Sequence, residues 1–200
     1  MSRLVLAFAL ALTAAAAAAA TPPAEAAGPT ALVIIDVQEF YFPGGALPLV
    51  QPEAAAANAG RLLERFRKDG NLVVHVGHEA SAGRAFASAV TPRPDETVLY
   101  KREVNAFRDT PLLQTLRDRG IARVVLCGMQ THMCLEAAAR AAADYGFAVV
   151  VVGDACATRD LTYGDTTVPA AEVHAATLAT LDRVYGRVTD TASFLAEAGD

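Results

Sequence analysis

The chain has 200 residues, 53% of them apolar and 20% charged, with three cysteines and a formal net charge of −5. That apolar content is too high for a disordered chain, and three cysteines are too few for a disulfide-framework mini-protein. With 17 basic against 22 acidic residues and no block of like charge, nucleic-acid binding is not expected. The length fits one domain of roughly 100–200 residues.

Arg3 precedes a run from Leu4 to Ala20 interrupted only by Thr13, with an Ala-x-Ala exit. One cation, an apolar stretch and small residues before a cleavage point form a secretory signal peptide. Residues 1–20 are therefore expected to be removed and the rest exported, to a periplasmic or secreted location. Cleavage after Ala20 is favoured, with Ala27 as the alternative. A membrane anchor competes, because the run approaches the roughly 20 residues of a span. Its all-alanine second half is only weakly apolar, which favours the signal and no stable membrane association afterwards. Residues 21–30, with three prolines, read as a disordered leader to a domain over 31–200.

Residues 31–37 are a short β-branched run carrying an acid and read as a buried strand. Leu62, Leu63 and Phe66 at helical spacing, closed by Gly70, make 53–68 a helix. Residues 71–77 are the next strand, 78–96 a loop rich in Gly, Ser and Pro, and 97–101 a third strand. Thr110 and Pro111 supply the N-cap and first position of a helix to Arg119, closed by Gly120. There follow a strand at 122–127, a helix at 133–145 and a strand at 147–152. A long amphipathic helix at 168–185, a short strand at 187–188 and a last helix capped by Asp190 or Thr191 complete the chain. Six mostly apolar strands separated by helices or crossovers imply a mainly parallel sheet covered on both faces, the three-layer α/β/α class.

In such sheets ligands sit beyond the carboxyl ends of the strands. Asp36 ends the first strand, Lys101 ends the third, and Cys134 opens the helix after the fourth. A thiol attacks as thiolate, and a helix N-terminus and a nearby ammonium both favour that anion. Asp36 is placed to take the thiol proton and return it to a leaving amine. Backbone N–H groups in the turn 128–134 are placed to hold an oxyanion. Singly, each residue has a plainer reading: a turn former, a solvated amine, a small buried thiol. Their meeting on one sheet edge carries the argument.

Three stretches also carry a resemblance. Ile35-Asp36-Val37-Gln38 is followed by Tyr41-Phe42-Pro43-Gly44-Gly45; Tyr100-Lys101 is followed by Asn105-Ala106-Phe107 and Thr110; Cys127-Gly128 runs through to Cys134, with Ala141, Gly146 and Asp154-Ala155 beyond. In order and spacing the chain resembles, from Ala31 to Leu195, the isochorismatase-like cysteine hydrolases. That superfamily includes nicotinamidases, N-carbamoylsarcosine amidase and isochorismatase.

The resemblance implies Asp36, Lys101 and Cys134 as a triad, with an acyl-enzyme on Cys134. It implies a non-proline cis peptide between Met129 and Gln130 that aims the Gln130 and Cys134 amides into an oxyanion hole. A homo-oligomer is implied too, with the 159–168 loop near the pocket, sometimes across a subunit boundary. Nicotinamidases add a metal site built on an Asp-x-His pair, whereas residues 46–68 here hold no Asp and no His, so no metal and no cofactor are expected. His75, His78 and Glu79 are alternative donors, but strand positions three apart face opposite sides. His75 thus reads as a strand-end or pocket-wall residue. Isochorismatases proper do not depend on this cysteine, so Cys134 favours C–N cleavage by thiol attack over vinyl-ether hydrolysis.

Tyr41, Phe42, Phe107, His132 and Tyr163 are the pocket candidates, and Gln38 is either a pocket residue or a buried structural amide. Aromatic walls with few charges suit a small, neutral, planar substrate. Together these residues describe an exported cysteine hydrolase cleaving an amide-type bond of a small molecule. An isochorismatase-type, lactam or ester hydrolase on the same fold, or a non-catalytic ligand-binding protein, are the alternatives. Cys127 and Cys156 are either a disulfide, as an oxidising compartment permits, or two buried thiols. The thiols are favoured, because disulfide geometry between adjacent parallel strands is restrictive.

Overall fold

The computed structural model describes residues 28–80 and 82–197; the expected signal peptide, its cleavage sites and most of the expected leader lie outside them. Six strands form one parallel sheet: β1 (Thr30–Ile35), β2 (Leu72–His78), β3 (Thr97–Lys101), β4 (Arg123–Met129), β5 (Ala148–Ala157) and, last in the chain, β8 (Arg187–Thr189). Their order across the sheet is β3-β2-β1-β4-β5-β8. Along β1, Leu32 and Ile34 face one side while Ala31, Val33 and Ile35 face the other. Both faces are covered, which is why the strands read as unbroken apolar runs rather than alternating ones.

One cover consists of α1 (Pro52–Lys68) and α5 (Thr191–Glu197), joined by Phe66 stacked on Phe194. The other consists of α2 (Leu112–Asp118), α3 (Glu136–Asp144) and α4 (Ala170–Leu181). This is the expected three-layer α/β/α architecture. Among the described residues no helix is long and apolar enough to cross a membrane.

The departures have local causes. The fold begins earlier than residue 31: Thr30 is already in β1, and the Pro29 carbonyl accepts hydrogen bonds from the Ala122 and Arg123 amides. β5 continues past 152 because its backbone ladder survives Gly153 and Asp154; after a register shift between Leu126 and Gly128, Cys156 and Ala157 pair with Gly128 and Met129. The 159–168 loop folds into a hairpin, β6 (Leu161–Tyr163) and β7 (Thr166–Val168). α4 stops at Leu181 rather than 185, where a turn with Arg183 at φ 66° sends its N–H to the Gly186 carbonyl. A single π-helical turn, Thr131–Leu135, precedes α3.

The strand order reverses direction between β1 and β4, and a crevice opens beyond their carboxyl ends at such a point. The two ends approach closely at Gly128, whose φ is 127° and where a Cβ would lie 1.9 Å from the Ile35 carbonyl oxygen. No other residue fits there. Cys127 belongs to the α1-side core and Cys156 to the opposite one, and both are buried free thiols, so no disulfide joins them.

Candidate active site

Asp36 immediately follows β1 with φ 51°, a left-handed conformation that Asp tolerates better than most residues. Its N–H is tied to the Val76 carbonyl of β2 at 2.8 Å, which fixes the carboxylate over the crevice. Lys101 ends β3, two strands away at a spacing of roughly 4.8 Å each, so its side chain must cross the end of β2. Cys134 lies in the π turn after β4. The three meet: Lys101 Nζ is 2.7 Å from Asp36 Oδ2 and 3.2 Å from Cys134 Sγ. The Lys101 and Asp36 side chains are wholly buried.

Burial holds the Asp36 carboxyl above the usual carboxylate range, and Lys101 offsets only part of that rise. Burial and the neighbouring Asp36 charge push the Cys134 thiol up to about 12, outweighing Lys101. The ammonium favours the anion as expected, but desolvation outweighs it. Asp36 Oδ1 is buried and has no hydrogen-bond partner among the described residues.

The Met129–Gln130 peptide is cis. Each of the next three side chains is tied to a different part of the fold. Gln130 donates to the Tyr41 hydroxyl at 3.4 Å and accepts from Arg159 Nε at 3.2 Å. Thr131 Oγ1 is 2.9 Å from His174 Nδ1 on α4, and His132 Nδ1 is 2.5 Å from Thr158 Oγ1. Burial, with the Arg159 charge, holds the half-buried His132 below the usual imidazole range. Burial pushes the Tyr41 phenol up.

Tyr41 is thus tied to the segment that carries Cys134, His132 lies within its turn, and half-buried Phe42 packs against the α1-side core. Gln38 is a structural amide: its Nε2 donates to the His78 and Arg84 carbonyls and its Oε1 accepts from the His78 amide. Phe107 is buried, its ring packed on Tyr145 just past the end of α3 farther from Cys134. Tyr163 is 91% exposed on the β6–β7 hairpin.

His75 is corrected as well. It lies in mid-strand on the α1 side, its Nε2 2.9 Å from Glu96 Oε2, and Arg67 grips the same carboxylate with two hydrogen bonds. Glu79 pairs with Arg102 on the surface. Among the described residues no group of three or more His, Cys, Asp or Glu is arranged to hold a metal ion.

Two residues make contacts here that sequence reasoning did not assign to them. His78 ends β2, pairs in register with Lys101, and turns Nδ1 to the Lys101 Nζ at 3.2 Å. Arg159, half-buried beyond the end of β5, spends its Nε on Gln130 while its two terminal amino groups make no hydrogen bond among the described residues. Ending β5 at 152 hid Arg159; strand order, which would have revealed His78, is not written in any one strand.

The Isochorismatase domain family matches residues 30–193. The chain belongs to the isochorismatase family. It is 41% identical over 177 residues to the isochorismatase family protein YddQ of Bacillus subtilis, covering 83% of this chain and 98% of that one. It is 33% identical over 184 residues to maleamate amidohydrolase of Pseudomonas putida, covering 79% and 81%. The crystal structure of an isochorismatase from Pseudomonas putida superposes with a TM-score of 0.77 at 36% identity, covering 82% of this chain and 89% of that one. The three-layer sheet is the isochorismatase-family fold, and the protein is a hydrolase of that family.

Proposed function

We propose that this isochorismatase-family hydrolase is an exported enzyme that cleaves the C–N bond of a small amide through a thioacyl intermediate on Cys134. One observation carries the mechanism: a buried Lys101 ammonium touching both Asp36 Oδ2 and Cys134 Sγ, with Asp36 Oδ1 unpartnered. As Sγ attacks the carbonyl carbon, Asp36 takes the thiol proton, and the Gln130 and Cys134 amides hold the oxyanion. The proton then passes to the nitrogen, the C–N bond breaks and the amine leaves a thioester behind. Water, giving its proton to Asp36, attacks the thioester; the acid departs and the proton returns to sulfur. Lys101 stays beside the sulfur throughout, opposite the charge that develops there.

The substrate class follows from Arg159. A half-buried guanidinium with two uncommitted amino groups, held beside Gln130, suits a carboxylate on the substrate. This replaces the neutral substrate expected from the aromatic walls. The related maleamate amidohydrolase is named for hydrolysis of an amide, which agrees with the C–N reading. Export rests on Arg3 and the apolar run after it.

Amine or ammonia release from small amides, lactams and ureides, with and without a carboxylate, tests this reading. The wild type is expected to release amine from a carboxylate-bearing amide, and Cys134→Ala to lose roughly 10³-fold or more. Release undiminished in Cys134→Ala would sink the thiol route. No release from any member, with no acyl adduct on Cys134 by mass, would favour a ligand-binding protein.

A further inference from the structure

An ammonium has three N–H donors and no acceptor. In Lys101 all three have partners: Asp36 Oδ2 at 2.7 Å, Cys134 Sγ at 3.2 Å and His78 Nδ1 at 3.2 Å. The first two belong to the proposed chemistry, and the third has no part in it. Since the ammonium donates, His78 Nδ1 accepts, which fixes a neutral ring with its proton on Nε2. The ring is itself aimed, because the Gln38 side chain bonds both the N–H and the carbonyl of His78. Gln38 thus reaches the Lys101 ammonium through His78.

We propose that His78 is a positioning residue: its neutral ring takes the third N–H of Lys101 and fixes the ammonium against Cys134, so that protonating His78 releases Lys101 and slows turnover. The inference rests on the thiol-hydrolase reading for its effect on turnover, though not for its effect on the sulfur. The Lys101 side chain is wholly buried, so without Nδ1 one of its N–H groups would have no water to turn to. The ammonium would swing to find a partner, and its distance to Cys134 would no longer be held. A protonated His78 goes further, since Nδ1 then carries a hydrogen pointing at a cation 3.2 Å away. The charged and titratable groups around the ring are Lys101 on β3, Asp36 after β1 and Glu79 next along its own strand, with Cys134 beyond the ammonium.

Two substitutions of the full-length protein separate the possibilities. His78→Asn keeps an acceptor near the Nδ1 position but cannot be protonated in this range; His78→Leu keeps bulk and no acceptor. Two readouts are taken across the acid range: kcat on the best amide of the panel, and the rate of Cys134 alkylation by iodoacetamide, located by peptide mass. His78→Leu is expected to lower kcat and alkylation about 10- to 100-fold with KM little changed. His78→Asn is expected to restore both to within about 3-fold of wild type and to move the acid limb of each profile to lower pH. Equal rates for His78→Leu and wild type, no rescue by His78→Asn, or an acid limb identical in His78→Asn and wild type would each overturn the proposal. If His78→Leu fails to fold, the acid limb of His78→Asn still decides. Alkylation needs no substrate, so failure of the amide reading and failure of this one are told apart.

Discussion

Asp36 gives Oδ2 to Lys101 at 2.7 Å and leaves Oδ1, equally buried, without a hydrogen-bond partner. In the proposed chemistry one carboxylate serves two purposes, holding the ammonium with one oxygen and taking the thiol proton with the other. Its negative charge also keeps the thiol protonated, since burial and Asp36 together push Cys134 up to about 12. The two effects are separable. Asp36→Asn is expected to lower turnover roughly 10³-fold through loss of the base. Yet iodoacetamide at fixed pH should alkylate Cys134 faster than in wild type, because a negative neighbour has gone. Slower alkylation in the variant would mean that Asp36 does not raise the thiol.

Arg159 is expected to govern affinity for the acid end of the substrate. Arg159→Met should raise KM for a carboxylate-bearing amide about 10- to 100-fold, the worth of a charge-assisted pair. A neutral amide of the same shape should be handled alike by both proteins. Steady-state kinetics on the matched pair check this, and an equal rise for both substrates would reassign Arg159 to holding Gln130.

Gln38 should matter to stability first. It satisfies the His78 amide and the His78 and Arg84 carbonyls, stitching the loop after β1 to the loop after β2. Gln38→Ala is expected to cost about 2–4 kcal/mol in urea unfolding, since buried backbone groups lose their partners. A loss under about 0.5 kcal/mol, the range of an ordinary surface change, would deny it that role.

At the other end of the sheet, the Glu96 carboxylate sets an acid-stability window. Burial opposes its ionisation, but hydrogen bonds from Arg67, the Arg93 amide and His75 hold it down from 4.5 to about 2. A carboxyl lowered on folding stabilises the fold fully above its unfolded value and loses that contribution as pH falls through its folded value. The stability gap between wild type and Glu96→Gln should therefore be widest above 4.5 and close progressively toward about 2. Urea midpoints across that range measure it, and a gap that widens on acidification would be the wrong sign.

The sheet was legible because its strands are buried on both faces and so read as plain apolar runs. The triad was legible because the strand-end rule needs only the end of a strand, and Asp36, Lys101 and Cys134 each lie at or just past one. What stayed hidden depends on packing at a distance. Phe107 looks like a pocket wall until Tyr145, far along the chain, is seen to take its ring. Tyr163 reads as a pocket candidate from its loop, and only the hairpin pairing around Gly164 shows that its side chain is exposed on this chain. The upward shift of the thiol was not legible, because the sequence shows the ammonium that lowers it but not the burial that raises it.

The separation of Cys127 and Cys156 onto opposite faces of the sheet turns the three thiols into a graded clock. Cys134, with 4% of its surface exposed, offers a small reagent a narrow access in the folded molecule. Cys127, wholly buried and pushed up by burial, reacts only when the layers over it part, whereas Cys156, 7% exposed, lines a surface cavity with Asn58, Asp154 and His174. One alkylating reagent, read residue by residue, reports access through the folded surface at Cys134 and Cys156 and opening of the protein at Cys127.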